Sequence, residues 1–395
     1  MRLASRALAL AVLLLPLLPL AAQQSPVQGA VFVDQNRNGR RDPGERGLAD
    51  VTVSNQDEVV ATDQAGAFRI GAGPNAIVFV SMPDGYRPVG AFWRSVADGA
   101  SRVEFALAPA PAPAVFTFAH ASDTHIAPAS AARTRRLRVL VDSLQPAFVL
   151  IAGDLVRDAL RVGEAEATSY YELFLSELRQ FTTPAWTVPG NHEVFGIEQA
   201  KSHVEATHPL FGRKMYQHYL GPDYYSFTYG GVHFVGLNSV DIDGPSYYGH
   251  VDSLQMAWLA RDLARIPATM PVVTFNHIPM VSTIEGLNGY TDDPPAPTLI
   301  TVRGTTLFRH IVSNTPEVLA VLRARPHVLA LGAHVHAGEQ IAYTIAGVTT
   351  RFEQSAAVVG PAEVGPLTFP SGFTVYTVRR GVVDGGRFVG IETGP

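Results

Sequence analysis

Cysteine is absent from all 395 residues. That excludes disulfides and thiolate metal ligands, and it excludes lipid attachment through a cleavage-site thiol. Charge is also sparse, at 16% of residues with a net of −5. With no basic run, the chain has no general electrostatic grip on nucleic acid or on an acidic membrane surface. Beyond the first residues there is no apolar run long enough to span a bilayer. The exception is the start itself, "MRLASRALALAVLLLPLLPLAAQQS". Arg2 and Arg6 form a positive leader, Ala7–Leu20 is short for a span, and Pro16, Pro19 and the small pair Ala21–Ala22 fit a cleavage region. Residues 1–22 are therefore expected to be a signal peptide, removed on export to a periplasmic or extracellular space; the other reading is an uncleaved anchor. What the chain has in quantity is apolar content, 47%, over a length that predicts two globular modules.

A joint divides it. "LAPAPAPA" at 107–114 alternates proline with alanine and predicts an extended, stiff linker over 108–114. Before it, residues 27–107 carry short β-rich runs: "GAVFVD", "DVTVSN", "VVATDQAGAFRI", "AIVFVSM" and "SRVEFALA". Gly, Pro and Asp/Asn turns separate them, as in a small all-β sandwich. After the linker, residues 115–395 alternate apolar strands with helical periodicity at 133–144, 164–180, 252–266 and 315–325, which is an α/β layered pattern.

Within the first module, "DQNRNGRRDPGE" at 34–45 has the spacing of a calcium loop. Asp34, Asn36, Asn38, Asp42 and Glu45 fall on side-chain ligand positions, Gly39 on the turn position, and Arg40 where a backbone oxygen contributes. A strand pattern leads in, and Pro43 and Gly44 discourage an exit helix. The loop is therefore read as one structural calcium ion pinning a β–β connection, not as a sensor; the other reading is a polar turn without metal.

In the second module, five apolar strands each end in metal-ligating side chains. They are followed by Asp123-Thr124-His125, Gly153-Asp154, Gly190-Asn191-His192-Glu193, His277 and His334-Val335-His336. In open α/β folds the carboxyl ends of the strands open on one crevice. Two carboxylates, four imidazoles and an amide are enough for two divalent ions, and one Asp can bridge them. Any one of these pieces alone arises by chance, since a lone His at a strand end is more often a hydrogen-bonded core residue. In this order, each after a β run, they do not.

This order resembles the calcineurin-like metallophosphoesterases, over about 115–395, with the "GNHE" stretch as its most specific part. The first module resembles prealbumin-like domains, including "TDQAGAF" at 62–68. The phosphoesterase resemblance implies a β-sandwich flanked by helices. It also implies one cation on Asp123, His125, Asp154 and His336 and a second on Asp154, Asn191, His277 and His334. Donors of nitrogen and oxygen admit Mn, Fe, Zn or Co. The implied reaction is hydrolysis of small phosphomonoesters or phosphodiesters by a metal-bridging hydroxide, with His192 protonating the leaving oxygen. His192 could otherwise position a neighbour. Two departures stand out. Arg157 occupies a position where the family often has Asp or Asn, and Asp158 is the candidate to orient His192 in its place, or else a helix-start carboxylate. Ala333 stands where glycine is usual. Arg157 also replaces the Tyr that purple acid phosphatases use as an iron ligand.

Other residues carry weaker expectations. His120, His203, His208, His218, His233, His250, His310 and His327 have no ligand spacing and are read as structural or solvated. The Pro/Gly-rich segment 282–309 offers Tyr290, Arg303 or Arg309 as substrate contacts, or is a surface excursion. Arg351 in "RFEQ" would hold a phosphate or pair with a carboxylate. The competing functions are a calcium-stabilised cell-envelope binding protein with a weakly active or inactive enzyme domain, and a nuclease on the same fold, which the acidic net charge disfavours. No feature sets an oligomeric state.

Overall fold

The computed structural model describes residues 26–288, 297–345 and 347–391. The expected signal segment 1–22 and Tyr290 lie outside them. In the first module two four-stranded sheets face each other. One runs Ala67–Ile70, Val27–Val33, Arg102–Pro109, Tyr86–Pro88, and the other Val59–Ala61, Thr52–Ser54, Ile77–Val80, Trp93–Ser95. Alternation is the cause: along Ala67–Ile70, Phe68 and Ile70 are buried while their neighbours are exposed, as a half-buried strand requires. Two of these strands, Tyr86–Pro88 and Trp93–Ser95, lie in "GYRPVGAFWRS", where Gly and Pro punctuation reads as loop; both lie at sheet edges, where proline is tolerated.

The linker differs from expectation. Ala108 and Pro109 belong to the strand Arg102–Pro109 and pair with Arg87 and Tyr86. Leu107 and Ala108 are buried, at 1% and 0% exposure, and this burial overrides the alternating Pro/Ala pattern. The spacer thus begins at Ala110. It does not hold the modules apart either. Gln56, fully buried, donates to Asp223 Oδ1 at 2.9 Å and to the Tyr224 carbonyl at 3.1 Å. The Trp258 indole donates to Ser54 Oγ at 3.1 Å, and Ser81 and Ser226 meet at 2.7 Å. One continuous apolar core includes Val53 and Phe79 from the first module and Tyr225, Trp258 and Phe275 from the second.

The second module layers two six-stranded sheets. The first has the order Ala185–Val188, Val149–Ala152, Val115–Ala121, Gly372–Arg379, Val382–Val383, with Arg387–Gly390 also paired to Gly372–Arg379. The second has the order Tyr225–Tyr229, Val232–Gly236, Val272–Phe275, His327–Gly332, Val348–Gln354, Glu339–Ile345. Alternate residues of the first sheet serve its two faces. Phe118, Leu150 and Ala152 join the core shared with the second sheet, where the Phe118 and Phe148 rings lie 5.3 and 5.0 Å from Phe234. Ala119, Ala121, Val149 and Ile151 pack instead against Leu137 and Val141 of helix Ala131–Leu144 and Tyr171 and Phe174 of helix Glu164–Leu178. Helices Ser253–Leu263 and Thr315–Leu322 bury Trp258, Leu259, Val318 and Leu322 in the larger core. Val115–Ala121, Val149–Ala152 and Ala185–Val188 are mutually parallel, as are Val232–Gly236, Val272–Phe275 and His327–Gly332. Parallel strands send their following loops to a common end, which is where the seven candidate ligands lie.

Candidate metal centre

Two groups of donor atoms form at that end. Asp123, His125, Asp154 and His336 make one, and Asp154, His277 and His334 the other, each with all its donor atoms within 4.8 Å of one another. In the first, His336 Nε2 lies 3.2 Å from Asp123 Oδ1 and 3.2 Å from His125 Nε2, which is 3.6 Å from Asp154 Oδ2. In the second, His277 Nε2 lies 3.2 Å from Asp154 Oδ1, 3.1 Å from Asn191 Oδ1 and 3.1 Å from His334 Nδ1. Asp154 thus turns one oxygen to each group.

The backbone aims these side chains at a cost. Asp123, His125, Asp154, His334 and His336 all have positive φ, between 37° and 73°. That region disfavours L residues by roughly 1–2 kcal/mol each, and such strain concentrates at functional sites. Gly153, at φ +81°, has no alternative: a Cβ there would sit 2.7 Å from Gly190 N and from the His277 side chain. Ala333 needs no glycine, because it is fully buried and the left-handed turn falls on His334 instead.

Do these residues fit cations? His277 Nδ1 contacts the Ala152 carbonyl at 2.9 Å, and an N–H there leaves Nε2 as a bare lone pair. That lone pair faces a carboxylate oxygen, an amide oxygen and a second imidazole nitrogen. Converging acceptors of this kind are reconciled by a cation at their centre. The charges agree. Burial opposes ionisation of Asp154, but His277, His192 and His125 outweigh it and hold its carboxyl well below the usual range. Burial keeps His125 down at about 4, and burial, with His310 and His277 beside it, holds His334 well below its ordinary value; both are neutral and able to coordinate. Burial also opposes protonation of His277, yet the Asp154 carboxylate pushes it up to about 9. His277 would give up that proton on coordinating a cation, whose positive charge would then take its place.

His192 lies beside this centre. Its backbone N–H donates to Asp154 Oδ1 at 2.9 Å, and its Nε2 is 3.8 Å from Asp154 Oδ2. Its ring is edge-on to His125 with centroids 4.5 Å apart. Asp158 does not orient it. That carboxylate accepts from the Leu160 and Arg161 N–H groups and pairs with the Arg161 side chain, a local turn that uses both oxygens. The partner of His192 Nδ1 is the backbone carbonyl of Arg157, so the family's usual side chain at that position is not required. Glu193 supports the loop: it accepts from Leu155, Val156 and Gly190 N–H groups at 2.8, 2.9 and 2.6 Å. Burial and the Asp154 charge push its carboxyl up to about 8, against the pull of those donors.

Sequence reasoning missed His310. Its Nδ1 lies 2.6 Å from His334 Nε2. It lies between the His277 and His334 motifs in sequence, ahead of helix Thr315–Leu322, with no spacing to signal it. Arg309 packs 4.2 Å over the Tyr247 ring. Arg351 pairs with Glu353 at 3.2 Å and donates to the Val383 and Asp384 carbonyls, the carboxylate option of the two expected for it. His233 pairs with Asp262, His250 with Asp241 and His208 with Glu164.

In the first module, the 34–45 loop runs from strand Val27–Val33 without a flanking helix. Asp34 accepts from the Asn38 and Gly39 N–H groups, and Glu45 from Gln35 and Asp42. The side-chain amides of Asn36 and Asn38 both reach Asp42 Oδ2, at 2.8 and 2.7 Å. The Arg40 N–H donates to Asn38 Oδ1 at 2.8 Å.

A two-sheet α/β layer with two carboxylate–imidazole groups sharing Asp154 defines a class. The family profile described as calcineurin-like phosphoesterase matches residues 116–338, more than half of the chain. The chain belongs to that family. The profile for the N terminal of calcineurin-like phosphoesterase matches residues 35–110. Among particular proteins, the human serine/threonine-protein phosphatase CPPED1 is 31% identical over 140 residues, 34% of this chain and 41% of that protein. The match thus spans less than half the length of that relative. A dimetal phosphatase from Danio rerio is similar at 16% identity and TM-score 0.42, covering 66% of this chain and 92% of that one. A Plasmodium protein described as the anchor in the inner membrane complex is similar at 12% identity and TM-score 0.41, covering 71% and 86%. Family membership rests on the sequence profile. Among the described residues, no helix is long and apolar enough to cross a membrane.

Proposed function

We propose that the protein is an exported, dinuclear-metal phosphoesterase that hydrolyses small phosphomonoesters or phosphodiesters. The observation that carries this reading is Asp154, with one oxygen toward each of two donor groups and His192 within 3.8 Å. When bound, two divalent cations supply Lewis acidity and lower the pKa of coordinated water. The chain's own part is to hold and orient. Asp123, His125, Asp154 and His336 would hold one ion, and Asp154, Asn191, His277 and His334 the other. Nitrogen and oxygen donors suit Mn, Fe, Zn or Co. His192, fixed through Nδ1 by the Arg157 carbonyl, keeps Nε2 turned to the centre as the proton donor to the leaving oxygen. The convergence of all seven side chains speaks against a degenerate domain.

The test is a panel of monoesters, diesters, cyclic nucleotides and phospholipid head groups on protein reconstituted with Mn, Zn or Fe. Turnover of at least one class, abolished by chelation and restored by metal, is expected. No turnover of any class at full metal loading would sink the reading. Export rests on the leader at 1–22. The 34–45 loop is read as a calcium site with modest affinity, since Arg37, Arg40 and Arg41 offset its three carboxylates. EGTA should then lower the melting temperature, and an unchanged melt would exclude a stabilising ion there.

A further inference from the structure

His334 has two ring nitrogens with different surroundings. Nδ1 faces the Asp154 group, 3.1 Å from His277 Nε2. Nε2, across the ring, is 2.6 Å from His310 Nδ1, and the two rings lie 24° from parallel with centroids 4.9 Å apart. A nitrogen–nitrogen contact that short needs one proton between the rings. If Nδ1 is the ligand atom, the ring proton of His334 must sit on Nε2. His334 then donates, and His310 accepts through Nδ1 while carrying its own proton on Nε2.

The placement of His310 is built into the chain around it. Gly249 N–H donates to the Arg309 carbonyl at 3.0 Å, and Ser313 N–H donates to the Gly249 carbonyl at 2.8 Å. Val312 N–H donates to the carbonyl of Pro279, two residues past His277, at 2.9 Å. A Cβ on Gly249 would lie 2.3 Å from the Ile311 carbonyl oxygen, so the close approach requires glycine. Segment 309–313 is thereby clamped between strand Ser246–Gly249 and the turn after His277. On the other side, the Tyr247 ring meets the His334 ring edge-on at 6.0 Å.

We propose that His310 is a positioning residue. It accepts the Nε2 proton of His334, fixes the tautomer that leaves Nδ1 bare, and so sets the affinity of one cation site. That site is the one formed by Asp154, Asn191, His277 and His334; the site of Asp123, His125, Asp154 and His336 does not depend on it. The inference rests on the two-cation reading above. Hydrogen-bond partners of metal-bound histidines typically contribute about 10–100-fold in metal affinity.

The experiment titrates the metal-free full-length chain with Zn²⁺ against a competing chelator. It compares the native protein with His310→Phe, which keeps the ring and loses the acceptor, and His310→Gln, which keeps an acceptor. Two equivalents are expected for the native protein. In His310→Phe one of the two should weaken by about 10–100-fold with the other unchanged and the metal-free melting temperature preserved. His310→Gln should recover much of the loss. Unchanged affinities in His310→Phe, or equal weakening of both sites with a lower metal-free melting temperature, would overturn the assignment. Fewer than two equivalents in the native protein would instead overturn the two-cation reading. A measurement that needs no variant is the ¹⁵N spectrum of the Zn-loaded chain. A proton on His334 Nε2 supports the proposal, and one on Nδ1 defeats it.

Discussion

At the scale of single residues, His192 and Asp158, which the sequence couples as proton donor and orienting carboxylate, have opposite fates. His192 is anchored at Nδ1 and has its remaining nitrogen toward Asp154. Replacing it with Ala in metal-loaded protein should lower kcat by about 10²–10⁴-fold, the range of a general acid, with KM little changed. Steady-state kinetics on whichever ester proves best will show this, and unaltered kcat would remove His192 from the reaction. Asp158→Asn should leave kcat within about twofold, because its oxygens serve Leu160, Arg161 and the Arg161 side chain. Its ion pair with Arg161 is half-buried and local, three residues apart in one turn. A large kcat loss in Asp158→Asn would restore the role that the sequence suggests for it.

At the scale of elements, the site is made by strand ends that approach one another closely. Gly153 follows strand Val149–Ala152 and lies against Gly190 and His277. Gly153→Ala adds a clash and a disfavoured φ, so it should destabilise the chain by about 3 kcal/mol. Urea unfolding measures the loss, and metal stoichiometry should fall with it; a wild-type urea midpoint would contradict the packing. The seven candidate ligands are legible in the sequence because each follows an apolar run, and apolar runs bounded by glycine are the clearest strand signal. Asp158 misleads because the sequence displays side chains, whereas the group that holds His192 is a backbone carbonyl, which every residue has. His310 leaves no trace for a related reason. It reaches His334 across a clamped loop, and tertiary contacts of that sort have no spacing. The strands Tyr86–Pro88 and Trp93–Ser95 are hidden by their glycines and prolines, which edge positions tolerate.

For the whole molecule, two buried histidines outside the metal centre tie stability to pH. Burial lowers His120 to about 3 and His327 to about 4, from an ordinary 6.5. Both stay neutral in the folded chain near pH 5, while the unfolded chain takes up the protons. The unfolded state therefore binds more protons below pH 6.5. Stability is fully present above that value and is lost as pH falls through 6.5 toward 4. Two such groups contribute up to about 2.7 kcal/mol per pH unit between those limits. Thermal melts of metal-free protein at pH 7.5 and 5 should show the drop, and His327→Asn should make it shallower. Equal slopes for the variant and the native chain would mean that His327 is not buried neutral.

The docking of the two modules has a further consequence, for the time at which the chain can fold. Gln56 and its partner Asp223 are separated by 167 residues. At synthesis rates of about 5–20 residues per second, the second arrives on the order of 10–30 s after the first. Trp258, which closes over Ser54 and Phe79, comes later still. Until then the first module keeps its docking face open to water and lacks part of the core it is built to share. A nascent chain held open for that long completes its core only once most of the second module has been made.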